Sequence, residues 1–191
     1  TGVNVDVDYV KNSDADEVII ATGAKHIIPD IPGIDNPMVT TAMELLEGKS
    51  HAGKNVVIIG GNMIGCETAD FIAEYGKNVT IVEMLSEIGQ DIAVVPKPYT
   101  LSKLKRMGVK MLTEAKVTAI EDNKVIYEKD GNKYTIEDVD TVVIAAGMES
   151  VNELAQELKA SDKPIHVVGD ASNVSIIMEG LADVYDKLIN I

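Results

Sequence analysis

Short, mostly apolar runs recur along the chain at residues 18–21, 56–59, 79–82, 142–145 and 165–168. Each is too short for a helix, and most lead directly into a glycine turn. That is the pattern of parallel strands buried on both faces, so it predicts an α/β fold. Between the second and third runs, apolar positions fall at helical spacing and predict a helix over residues 63–75, stopped by Gly76. Farther on the period changes to two. The alternating segments VTAIED, KVIYEKD and KYTIEDVD are joined at Asp122-Asn123 and Asp130-Gly131-Asn132, which predicts a three-stranded antiparallel meander. The expected class is therefore α/β, a Rossmann-like parallel sheet with helices on both faces plus that meander.

The other segments are less regular. Residues 6–10 alternate and predict a short strand. Residues 29–37 carry three prolines and a glycine, so they read as a segment crossing between layers or domains. Thr40 or Thr41 is placed to cap a helix over 42–46, with Glu44 in its first turn. Pro96 and Pro98 interrupt the chain, and Thr100 is placed to cap a helix running to Met107. Gly108 ends that helix, and a strand is expected over 109–112. Asn152 is placed to cap a short helix to Leu158, and residues 176–189 predict a closing helix.

Composition narrows the functional classes. The chain has 191 residues and is 46% hydrophobic, enough for a real core rather than a disordered chain. Its net charge is −14 and its aromatics are only 4%, which disfavours nucleic acid and anionic membranes as partners. A single cysteine, Cys66, excludes a CxxC pair or a four-cysteine metal site within these residues. No apolar run approaches membrane-spanning length and no signal peptide is present, so the expected location is cytoplasmic. The chain starts at Thr1 in what reads as mid-domain sequence, so a piece of a larger protein is expected.

The chemistry concentrates at residues 55–83. A strand ends at Gly60-Gly61, a helix follows, and a second strand ends on Glu83. This is the strand, glycine turn, helix, strand, acid order of a dinucleotide fingerprint. Gly60 permits the tight turn, and Gly65 permits close packing of helix on strand. The position between them that is usually glycine is Asn62, which adds a side chain beside the pyrophosphate. The N–H groups around Asn62, Met63 and Ile64 would hold phosphate at the helix N-terminus. Glu83, followed by Met84, would accept hydrogen bonds from the adenine ribose and repel a 2′-phosphate. The only arginine is Arg106, and no lysine follows Glu83 within ten residues, so NADH is expected over NADPH.

These residues resemble a known family. GGNMIGCETADFIAEYGKNVTIVEM is similar to the NADH-binding domain of flavoproteins with two dinucleotide-binding domains. Among them it most resembles the C-terminal region of the 2-enoate and 2,4-dienoyl-CoA reductases. DEVIIATGAKHIIPDIPGI resembles the segment that crosses from the flavin domain to the NADH domain. VVIAAGMESVNELAQELK resembles the return strand, with Glu149-Ser150-Val151 where the family usually carries a cation and a proline. HVVGDASN resembles the FAD motif whose Asp contacts the flavin's ribityl chain. The resemblance implies an FAD-domain remnant at 1–38, an NADH domain at 39–147 and a second FAD remnant at 148–191. It implies cofactor contacts at Ala146 and Gly147 for NADH, and at Thr22, Gly23, Ala24, Gly169 and Asp170 for FAD. It also implies partners, the missing FMN-barrel and FAD-domain segments of the parent, with FMN and a [4Fe–4S] cluster outside this chain. In the parent, electrons would pass from NADH through FAD and the cluster to FMN, which reduces an activated C=C bond.

Other readings stay open. One is a stand-alone NAD(H)-binding module without turnover. Another is an NADH oxidase or disulfide reductase of the same superfamily, against which stand the missing CxxC and the short stretch after Asp170. Cys66, on the first helical turn, is either a reactive thiol or a small packed residue. His26, His51 and His166 lack ligand partners at useful spacing, and no catalytic residue is assigned.

Overall fold

The computed structural model describes residues 1–189. Twelve strands and six α-helices follow in chain order among them. They begin with α1 (Val7–Lys11), β1 (Val18–Ile20), β2 (Ala24–His26), β3 (Val39–Thr41), α2 (Ala42–Leu46) and β4 (Asn55–Ile59). Next come α3 (Met63–Glu74), β5 (Asn78–Val82), α4 (Pro96–Arg106), β6 (Lys110–Leu112), β7 (Lys116–Glu121), β8 (Lys124–Lys129) and β9 (Asn132–Ile136). The last are β10 (Thr141–Ile144), β11 (Met148–Ser150), α5 (Glu153–Glu157), β12 (Ile165–Val167) and α6 (Ile177–Leu188). The chain divides into two compact units, residues 26–147 and residues 1–25 with 148–191.

In the larger unit five parallel strands form one sheet in the order β3-β10-β4-β5-β6. Side chains of a strand alternate between faces, so each apolar run serves two cores at once. Val56 and Ile58 of β4, Ile81 of β5 and Val143 of β10 point to one face. There they bury Ala42 and Leu45 of α2, Cys66, Ala69 and Ile72 of α3, and Leu104 of α4. Val57 and Ile59, Val82, and Val142 and Ile144 point to the other, against Ile31, Val117, Ile120 and Val125. The α/β class, the Rossmann-like parallel sheet and the meander are as the sequence predicts. The second face, however, is covered by the meander β7-β8-β9 and the 29–39 crossing segment in place of a helical layer. The reason is that the meander itself presents an apolar stripe on alternate residues.

Local signals explain the element ends. Thr41 and Glu44 form a reciprocal capping box at α2. The β8–β9 hairpin closes through Asp130 and Gly131, both at positive φ (52° and 72°), the twist a tight hairpin requires. Two expectations are corrected. Residues 6–10 are not a strand but mostly α1, because Asp6 accepts the Tyr9 N–H as an N-cap and only Val10 needs burial. The helix after Glu83 starts at Pro96, not after Thr100. Pro96 and Pro98 lie in its first turn, where a missing N–H costs nothing. Asn152 does precede α5, but its side chain makes no capping hydrogen bond.

The smaller unit has a parallel pair, β1 with β12, over a small core of Val10, Ile20, Ala155 and Leu158. α6 buries none of its described residues. β2 and β11 form a separate two-stranded ribbon. No described helix is long and apolar enough to cross a membrane.

Candidate functional site

The C-terminal ends of β4, β5 and β10 open into a cavity of about 520 Å³ in the larger unit. Gly60, Asn62, Glu83, Met84 and Ala146 line it, together with Ile59, Val82 and Ala145 at the strand ends. Ends of parallel strands are where an open α/β sheet binds ligands, because the helices that follow leave a crevice there.

The floor of the cavity is a backbone packed too closely for side chains. Gly60 has φ +109°, and a Cβ there would lie 2.2 Å from the Ala145 carbonyl oxygen. A Cβ on Gly65 would lie 2.0 Å from the Gly60 oxygen, and one on Gly61 would lie 2.5 Å from Ile88 Cδ1. The glycines at 60 and 65 let β4, the turn and α3 touch as backbone.

Asn62 does not use the left-handed region that its type tolerates. Its φ is −73° and ψ −174°, and it is the N-cap of α3. Its Oδ1 accepts the Gly65 N–H at 2.9 Å, and its Nδ2 donates to the Ala145 oxygen at 2.8 Å. The side chain thus ties the glycine turn to β10 and consumes one donor of the helix N-terminus. The Met63 N–H donates to Asp91 Oδ1 at 2.8 Å. The backbone N–H groups of Asn62 and Ile64 are donors of this turn that no described residue takes.

Glu83 is only 7% exposed. Its two oxygens accept the Gly61 N–H at 2.6 Å and the Leu85 N–H at 2.8 Å. A carboxylate has about four acceptor positions, so these bonds fix its orientation and leave acceptor capacity toward the cavity. Glu83 is therefore both the clasp of the glycine turn and an anion on the cavity wall. Cys66 is buried, its Sγ 3.7 Å from the Gly61 oxygen. Burial first, then the nearby carboxylates of Asp91, Glu67 and Glu83, push its thiol up to about 12. Of the two roles open to it, the packed, unreactive thiol is the one realised.

Gly61, Met63, Ile64 and Gly65 shape the turn and first helical residues beside the cavity. Gly147 follows β10 at φ +103°, and its oxygen accepts the Ile27 N–H at 3.1 Å. Thr22, Gly23, Ala24, Gly169 and Asp170 belong to the smaller unit. There Thr22 donates its hydroxyl to the Val151 oxygen. The Gly169 N–H donates to Asp183 Oδ2 at 3.0 Å, and Asp170 Oδ1 accepts the Ser175 N–H at 3.2 Å.

Sequence reasoning missed three contributors. Pro29, Asp30 and Ile31 of the crossing segment and Ala115 to Thr118 at the start of the meander also line the cavity. Lys116 brings a cation to the cavity from a segment well beyond Glu83 in the chain. Asp91 reaches the helix N-terminus from 28 residues away.

A family model described as pyridine nucleotide-disulphide oxidoreductase matches residues 3–173. The chain belongs to this family. An NADH oxidase from Thermoanaerobacter brockii is 35% identical over 187 residues, which are 95% of this chain and 29% of that protein. A cinnamate reductase from Clostridium sporogenes is 30% identical over 185 residues, 95% of this chain and 27% of that protein. Among solved structures, a 2-naphthoyl-CoA reductase complex superposes with a TM-score of 0.87 at 34% identity, covering 98% of this chain and 28% of that one. The chain thus spans less than a third of each of these relatives. The family description names a pyridine nucleotide, and the glycine cradle and cavity described above fit one.

Proposed function

We propose that this chain binds NADH along the ends of β4, β5 and β10, as the nucleotide-binding part of a flavin-dependent reductase of an activated C=C bond. The observation that carries the reading is the glycine cradle at 60–65 opening onto a cavity walled by Glu83. The cradle presents backbone and a helix N-terminus, which suit a pyrophosphate. The acceptor capacity left on Glu83 takes ribose hydroxyls and repels a 2′-phosphate. Ala146 and Gly147, at the end of β10, border the nicotinamide end. Bound there, the nicotinamide supplies a hydride. Thr22, Gly23, Ala24, Gly169 and Asp170 are assigned to an FAD site completed by segments of the parent chain, which also carry FMN and the [4Fe–4S] cluster. Those segments are the proposed partners. Relatives named for reducing cinnamate and 2-naphthoyl-CoA support the C=C assignment. A second reading, an NADH oxidase, is favoured by the relative of that name.

Titration of the purified chain with NADH and NADPH, followed by nicotinamide fluorescence, tests the site. NADH should bind about tenfold tighter than NADPH, and Glu83→Gln should narrow that gap to about twofold. Equal affinities that the substitution leaves unchanged would end the role of Glu83. The chain alone should be colourless and show no NADH-dependent reduction of a 2-enoate; a yellow sample that turns over would remove the fragment reading.

A further inference from the structure

The N-terminus of α3 already holds an anion of the protein's own. Asp91 Oδ1 accepts the Met63 N–H at 2.8 Å, one residue after Asn62 in the turn assigned to the pyrophosphate. The loop that carries Asp91 is not loosely draped. Ile88 and Ile92, on either side of it, are buried in the core on the helical face of the sheet. Between them the Gly89 N–H donates to the Gly61 oxygen at 2.6 Å. These anchors hold the backbone and aim the Asp91 carboxylate at the helix end. Asp91 itself is exposed, so its side chain can turn into water, where its charge is well solvated.

A carboxylate and a phosphate want the same thing from a helix N-terminus, namely N–H donors and the positive end of the dipole. They also repel each other at close range. We propose that Asp91 is an internal competitor for the pyrophosphate of the dinucleotide. It occupies the Met63 N–H and sets how tightly the glycine turn holds any ligand with phosphates. NADH binds with the Asp91 side chain turned away, while Ile88 and Ile92 keep the loop in place. The proposal rests on the NADH reading of the same site.

The test measures dissociation constants of the purified chain, its folding checked by circular dichroism, for NADH, ADP-ribose and adenosine. Asp91→Asn keeps the shape and an acceptor but removes the charge. Asp91→Ala removes the acceptor as well. Glu67→Gln, on the exposed side of α3, removes one negative charge without touching Met63. Both Asp91 variants should tighten NADH and ADP-ribose, by roughly tenfold for Ala. Adenosine, which has no phosphate, should change by less than about twofold, as should NADH on Glu67→Gln. If the wild type binds NADH and neither Asp91 variant binds it more tightly, the competitor role is wrong and the NADH site stands. An equal gain from Glu67→Gln would likewise replace the contact by a general charge effect. If no variant binds NADH or ADP-ribose, the NADH reading falls and the competitor role with it.

Discussion

β4 and β12 are both short, apolar, parallel strands, and their surroundings make them different objects. Residues 56–59 of β4 are all buried, because β5 and β10 flank the strand, helices cover one face and the meander the other. In β12, Ile165, His166 and Val167 are all half-buried, because its sheet has only β1 beside it. The same contrast holds for helices. α3 buries Cys66, Ala69 and Ile72, whereas Ile177, Leu181 and Tyr185 of α6 are each more than half exposed. The larger unit therefore carries its own two-sided core. The smaller has the strands and helices of a domain with few layers to bury them. Burial stabilises in proportion to the apolar area removed from water, so the two units should answer mutation very differently.

The sharpest way to test the contrast is at the glycine turn. Gly65→Ala would put a methyl 2.0 Å from backbone, which only separation of α3 from β4 relieves. It should lower stability by about 3 kcal/mol or more in urea unfolding and abolish NADH binding. A folded variant with wild-type affinity would show that the close packing there is dispensable. Next in size is a matched pair of truncations. Ile58→Ala, in the fully buried centre of β4, should cost about 2–5 kcal/mol. Leu181→Ala in α6 should change stability by less than about 0.5 kcal/mol. Similar losses from both would erase the distinction between the units.

The smallest effect concerns Cys66. Its thiol pKa is raised in the folded chain, so the folded state binds the proton more tightly than the unfolded one. The resulting stability is fully present below about pH 9 and is lost as pH rises toward the folded value of about 12. Between pH 8 and pH 10.5 the wild type should lose about 1–2 kcal/mol more than Cys66→Ala does. Disulfide-exchange reagents should leave the folded thiol unmodified at pH 8. Rapid modification without unfolding would mean that α3 opens far more readily than its buried face implies.

Much of this was legible beforehand for identifiable reasons. The short apolar runs of β4, β5 and β10 and the glycines at 60 and 65 are local signals, and neighbouring residues suffice to read them. The Thr41–Glu44 capping box and the Asp130-Gly131 turn are equally local. The misreadings came where two local signals compete. Residues 6–10 alternate like a strand, but the Asp6 cap commits them to α1. Pro96 and Pro98 look like breakers, yet prolines in a first helical turn help to start a helix.

The amino-acid sequence by itself determined the order of the main strands and helices, the parallel sheet and the position of the dinucleotide turn, because period, glycine and capping are properties of adjacent residues. Only the tertiary structure decided that the meander covers the second face of the sheet. It also decided that Glu83 clasps Gly61 and Leu85, and that Asp91 and Lys116 belong to the site. Those outcomes depend on contacts between residues tens of positions apart, which packing brings together and no local pattern records.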